Sequence, residues 1–193
     1  MKTIKNAALM LAVLTVLTGI VYPLALTGIG MTIFPGSAGG SRIVLNGQAA
    51  GSRFIGREFT SDRYFHGRPS ACGYNPLRSG GSNLSPSSQA LADSVAARRD
   101  AFRRDNPDAG TDVPEEMLFA SGSGLDPDIS GESALLQLPR VCAARHLDSA
   151  MAVRVRGSIA GLAGSAESSI LPGSRVNTLL LNLALDSLTG SLR

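Results

Sequence analysis

The 193-residue chain has no tryptophan, two cysteines, two histidines and two lysines. Both lysines, Lys2 and Lys5, precede every other charged residue. Without a later lysine there is no phosphate-binding loop ending in Gly-Lys-Ser/Thr, no Schiff base and no Ser-Lys dyad. Glycine-rich stretches occur at 79–82 and 121–124, but neither contains that lysine and neither reads G-x-S-x-G, so a nucleophile elbow is missing too. His66, His146, Cys72 and Cys142 show no zinc-ligand spacing, so no metal site is expected. Aromatic residues make up 5% of the chain, and no stripe of basic and aromatic residues is present, which argues against nucleic acid as a partner.

A second absence fixes the organisation. From Asn6 through Ser41 there is no charge of either sign, and residues 7–33 are almost wholly apolar. About 20 such residues span the hydrocarbon layer of a bilayer as a helix. With both lysines before this run and all arginines and acids after it, the charge asymmetry predicts residues 1–6 in the cytoplasm and 42–193 on the far side. A cleaved leader is the rival reading, but the run exceeds the usual apolar length of one and no A-x-A signature closes it. Gly19 and Pro23 inside the run predict a kinked but tolerated membrane helix.

Residues 34–41 then read as a linker, and 42–193 suffice for one domain. Sixteen arginines face fifteen acids there, so the domain is nearly neutral. In an oxidising compartment Cys72 and Cys142 would close a long loop worth about 4 kcal/mol; otherwise they are two small unpaired side chains.

The pattern predicts a mixed α+β domain. Arg42 to Leu45, Asn46-Gly47 and a second stretch around Phe54-Ile55 read as an imperfect hairpin. Residues 64–86 read as loop. Ser85-Pro86 is expected to open a helix with Leu91, Val95 and Phe102 on one face, and Arg98, Arg99, Arg103 and Arg104 on a solvated one, ending at Asn106-Pro107. Met117 to Ala120 suggests a short strand. Ser130 should cap a helix that Pro139 kinks or splits. Asp148 should cap a shorter helix, and Asn177 the last.

Two features invite chemistry. His66 could act as a base beside a loop serine, or simply tie neighbouring loop segments together. Asp126 and Asp128 resemble a fragment of a calcium loop but lack its Gly and distant Glu; Asp126 as acceptor at a turn is the plainer reading. The two Gly/Ser loops suit either docking on a partner or plain tight turns.

A set of ordered motifs is more specific. Tyr64-Phe65-His66-Gly67-Arg68-Pro69-Ser70, Tyr74-Asn75-Pro76 and Ser79-Gly80-Gly81-Ser82-Asn83-Leu84 come first. Ala120-Ser121-Gly122-Ser123-Gly124-Leu125-Asp126-Pro127, Ile129-Ser130, Gln137, Pro139-Arg140-Val141, Arg175-Val176-Asn177 and Leu181-Asn182-Leu183-Ala184-Leu185-Asp186 follow. With Thr18-Gly19 and Tyr22-Pro23 in the anchor, this series closely resembles the C subunit of the bacterial Kdp potassium-transporting ATPase over nearly the whole chain.

The resemblance implies a non-catalytic inner-membrane subunit with one span. In that family the A subunit forms the potassium pore, the P-type B subunit hydrolyses ATP with its magnesium, and the small F subunit helps hold the assembly. The C subunit is described as a catalytic chaperone that raises the ATP affinity of B, and is pictured outside, over the ion entrance of A. The chain itself is expected to hold no cofactor. Its expected partner or ion-entrance surface comprises Tyr64, His66, Arg68, Asn75, Ser79, Gly80, Gly81, Ser82, Asn83, Ser121, Gly122, Ser123, Gly124, Asp126 and Gln137. Gly19, Gly28 and Gly30 are the expected packing positions in the membrane. Leu136, Leu180 and Pro172-Gly173-Ser174 depart from the family pattern. The competing expectation is an anchored extracytoplasmic hydrolase using His66.

Overall fold

The computed structural model describes residues 2–45, 47–164 and 174–190. The chain divides into two compact units, Met1–Ser52 and Arg53–Arg193.

In the first unit, α1 (Lys2–Val16), a π turn (Leu17–Val21) and α2 (Tyr22–Ile33) form one continuous helix of 32 residues, long and apolar enough to cross a membrane. The kink signal takes the form of the π turn. Pro23 has no N–H for the ladder, and just before it Tyr22 N–H bonds back five residues to Leu17 O. Three threonine hydroxyls of this helix are satisfied by its own backbone. Thr18 donates to Leu14 O at 2.7 Å, Thr27 to Pro23 O at 2.8 Å and Thr32 to Gly28 O at 2.7 Å. The linker is more ordered than its composition suggests: α3 (Pro35–Ala38) is a helical turn, closed by Ser41 N–H on Gly36 O at 2.8 Å.

The hairpin forms, but between β1 (Arg42–Leu45) and β2 (Gln48–Ser52). Its second strand begins directly after Gly47, whose φ of +79° suits the turn, so Phe54 falls beyond it in an exposed turn. Asn46, the other turn residue, lies outside the described residues. Register slips between Ile43 and Val44, which is the expected irregularity.

In the second unit, residues 53–88 contain only an isolated bridge residue at Ile55 and a 3-10 turn (Pro76–Arg78). Helix α4 (Gln89–Asp105) starts later than Ser85-Pro86 implies, because Ser88 is the residue whose hydroxyl accepts from Leu91 N–H, at 3.2 Å. Leu91, Val95 and Phe102 do face inward, and Asn106 ends the helix. The strand expected over Met117 to Ala120 does not form: its first two residues end a helical turn, α5 (Glu115–Leu118), which Pro114 precedes and whose first turn holds two acids.

Strand β3 (Asp128–Ser130) leads into α6 (Gly131–Arg145), capped by Ser130 through the Ser133 N–H at 3.0 Å. This helix runs through Pro139 unbroken. Pro139 and Leu135, whose carbonyl loses its donor, are both exposed, so water can satisfy that carbonyl. Asp148 caps α7 (Ser149–Gly164) through Met151 N–H at 2.7 Å, and that helix is longer than expected, at sixteen residues. Strand β4 (Arg175–Asn177), invisible as a strand in the sequence, pairs antiparallel with β3 and places Asn177 as cap of α8 (Thr178–Leu188). Pro172 and Gly173 lie outside the described residues.

Helices α6, α7 and α8 and the β3–β4 pair enclose the core of Phe65, Ile129, Val141, Val155, Val176, Leu181 and Leu185, each at most 1% exposed. Leu136 packs against this core, half-buried. Burying each such side chain is worth about 1.5–3 kcal/mol. The cap assignment has a direct check: Ser88→Ala should lower the stability of the full chain in detergent by about 1 kcal/mol in denaturant unfolding, and Ser85→Ala by much less.

Candidate functional site

The long loop that carries most of the expected surface residues is tied down by side chains in place of a sheet. Asn182 on α8, 1% exposed, accepts from Phe65 N–H at 2.9 Å and donates to Phe65 O at 2.9 Å. Gln137 on α6, fully buried, treats the next residue alike: its Oε1 accepts from His66 N–H at 2.7 Å and its Nε2 donates to His66 O at 3.1 Å. Each amide acts as a one-residue strand partner. Arg140 completes this network, donating from Nη2 to Gln137 Oε1 (2.9 Å), from Nε to Asn106 Oδ1 (3.0 Å) and from Nη1 to Asp62 O (2.8 Å). Beside it, Arg145 lies over the Tyr64 ring, pairs with Asp186 at 2.6 Å and donates to Arg63 O and Thr189. Tyr64 itself donates to Asp186 at 3.2 Å.

Beyond this clamp the two Gly/Ser loops meet each other. Gly80 N–H and Ser79 Oγ both donate to Ser123 O, at 2.8 and 2.9 Å. A Cβ on Gly81 would sit 3.2 Å from Gly122 O. Gly124 has a φ of +68°, and a Cβ there would lie 2.5 Å from Cys72 Sγ and 2.8 Å from Gly80 O. Gly81 and Gly124 are therefore needed for close backbone approach between the loops, whereas Gly80 and Gly122 have open space around them. Ser121 N–H donates to Pro69 O at 3.0 Å and Ser70 Oγ to Gly124 O at 2.7 Å, which hangs both loops on the clamped segment. Ser79, Ser82, Asn83, Gly122 and Ser123 form the exposed rim, while Ser121 and Gly124 are buried beneath it. Asn75 is spent locally, capping the 3-10 turn through Leu77 N–H at 3.0 Å.

The charged side chains are equally committed. Arg68 pairs with Asp126 at 2.8 Å, and the other oxygen of Asp126 accepts from Asp128 N–H at 3.1 Å, which makes Asp126 the turn acceptor. Burial, with Asp126 adding to it, raises the Asp128 carboxyl. Burial alone would raise Glu116, but hydrogen bonds from Ser133 and Ser130 outweigh it and hold that carboxyl below its ordinary value. Tyr74 donates to Arg68 O at 2.6 Å, and burial, then Asp126, push its phenol to about 12. The arginine face is only partly solvated. Arg98 is half-buried and donates to Leu118 O at 2.9 Å, and Arg103 donates to Thr111 O.

His66 Nε2 lies 3.1 Å from Ser61 O, a carbonyl, so the ring donates to backbone; among the described residues no serine hydroxyl pairs with it. Cys72 and Cys142 are both free and half-buried. Among the described residues no group of three metal-ligating side chains is found. In the anchor, Gly19, Gly28 and Gly30 all face open space, but on a regular helix Gly28 and Gly30 point about 200° apart, so one neighbour cannot meet both.

The K+-transporting ATPase c chain family, KdpC, matches residues 4–187. The chain belongs to this family. It is 48% identical to the potassium-transporting ATPase KdpC subunit of Methylobacterium nodulans, over 92% of each chain. The subunits of Rhodopseudomonas palustris (45%, 98% of each chain) and Bradyrhizobium diazoefficiens (44%, 96% of this chain and 97% of the relative) are similarly close. Membership makes this a membrane-associated subunit of the transporter and gives it no catalytic role of its own. The expected family residues come together as one loop platform around His66, Arg68, Asp126 and the glycines, whereas Gln137 is an internal clamp. Sequence reasoning assigned no part to Asn182, Arg140 or Arg145. The available signal was a polar residue at an inward helical position, as in Leu181-Asn182-Leu183.

Two outcomes follow from this geometry. An added Cβ at Gly67 would lie 2.5 Å from the Tyr74 hydroxyl. Gly67→Ala should cost about 1–3 kcal/mol, and adding Tyr74→Phe should return part of it, read as non-additivity in unfolding. The hydrogen bond to Ser70 lowers the Cys72 thiol pKa, whereas burial raises that of Cys142. Iodoacetamide at neutral pH should therefore modify Cys72 on the order of tenfold faster; equal rates, read by mass spectrometry, would contradict this.

Proposed function

We propose that the chain is the non-catalytic accessory subunit of an ATP-driven potassium importer, with its N-terminus in the cytoplasm of the bacterial inner membrane and residues 42–193 outside. The carrying observation is the 32-residue apolar helix, which holds Lys2 and Lys5 in its first turn and no other charge, with every acid and arginine beyond its far end. The rim of Ser79, Ser82, Asn83, Gly122 and Ser123 is the surface offered to the pore-forming A subunit near its ion entrance. Gly19 or Gly30 supplies close approach in the membrane. The F subunit and the ATP-hydrolysing B subunit complete the assembly, and potassium, ATP and magnesium stay with A and B.

A domain outside the membrane cannot touch cytoplasmic ATP. Its effect on the B subunit is therefore linkage: by binding one conformation of the complex it favours the state with higher nucleotide affinity. Reconstituted A, B and F subunits should show a KM for ATP that falls about fivefold or more when this chain is added. An unchanged value in an assembled complex would leave assembly as the whole role. Ser82→Cys, in a Cys72→Ser/Cys142→Ala background, should react with an impermeant maleimide on intact spheroplasts; labelling only after lysis would overturn the topology.

A further inference from the structure

His66 occupies the point where the clamped loop crosses α6, and its ring fits there as a neutral group. Nε2 donates to Ser61 O at 3.1 Å, and the guanidinium Nη1 of Arg140 lies 3.4 Å from the same nitrogen. Charging the ring would set two cations side by side. Arg140 cannot retreat freely, because its other contacts hold Asp62 O, Asn106 and Gln137. The opposing carboxylates are Asp62 on the same loop and Asp105 at the end of α4, and Glu58 and Arg68 line a cleft that His66 also lines. Asp62 lies 3.8 Å from Arg140 Nη1 but is 71% exposed, so water screens its compensation. Burial first, then Arg140, depress the affinity of the ring for a proton.

We propose that His66 is an acid-sensitive latch: on protonation its ring and the Arg140 guanidinium separate, segment 61–70 lifts from α6, and the two glycine loops hung on that segment loosen with it. The closed state holds the ring neutral and the open state lets it charge, so opening takes up a proton. Stability of the closed latch is fully present above about pH 6.5, the ordinary histidine value, and is lost as pH falls below it toward the depressed closed-state value. Within that window the opening equilibrium rises by up to about tenfold per pH unit. The hydrogen bonds from Ser121 N–H to Pro69 O and from Ser70 Oγ to Gly124 O carry the change outward. The inference rests on the fold of this chain and stands whether or not the proposed topology does.

The test uses the full chain in lipid nanodiscs carrying His146→Gln, which leaves His66 as the only histidine. Its ring is titrated by NMR while amide exchange, corrected for intrinsic rates, is followed in parallel. Expected are a midpoint below 6.5 and exchange in 62–70 and 121–124 that rises through the same titration, with 181–185 on α8 unmoved. His66→Gln should flatten that rise. In Asp105→Asn, which removes one compensating carboxylate, the ring titration should move to lower pH, and the exchange rise, still beginning near 6.5, should continue down to that lower pH. Exchange that ignores the ring titration, a pH response surviving in His66→Gln, or an exchange profile that stays put in Asp105→Asn would each overturn the latch.

Discussion

Two buried amides, Gln137 and Asn182, carry the organisation of the larger unit, Arg53–Arg193. Each satisfies both backbone groups of one loop residue, His66 and Phe65, where a folded chain would ordinarily use a neighbouring strand. A buried backbone group left without a partner costs about 1–3 kcal/mol, so a long loop can enter a core only where such groups are met. With the amides in place Phe65 is drawn fully into the core between α6 and α8. The remainder of the loop then has fixed points from which to build.

Everything distal is ordered by reference to that crossing. Arg140 and Arg145 staple the approach to it, on Asp62 O and Arg63 O. Pro69 and Ser70 hold the second glycine loop, and that loop holds the first through Ser123. The result is a polar rim on a rigid base, a surface shaped by backbone approach with few large side chains on it. The unit's central charges, Arg68 with Asp126 and Arg145 with Asp186, are paired within the chain.

Much of this was legible in the chain, though unevenly. The anchor was plain because a long uncharged run permits few other structures, and the caps Ser130, Asp148 and Asn177 were plain because a short polar side chain before an apolar period has one obvious use. Ser88 was misplaced to Ser85 because serines and a proline crowd that stretch, and only geometry selects the one that reaches Leu91 N–H. The β3–β4 pair was invisible since three-residue strands joined across forty-odd residues leave no periodicity. Met117 to Ala120 suggests a strand by its apolar run, while Pro114 and the two acids that follow it favour a helical turn over 115–118. The two glycine loops were conspicuous as composition, but nothing local says that they face each other. That fact emerges only once the amide clamps bring the segments together.

The π turn in the anchor has a separate geometric effect. A turn holding one residue more than usual rotates everything beyond it by about 100° relative to an unbroken helix. The long apolar helix thus behaves as two half-helices in series with different angular origins. A stripe of side chains facing one neighbour near the lysine end is rotated toward another before it reaches the other end. A single helix can in this way present its two halves in two different directions.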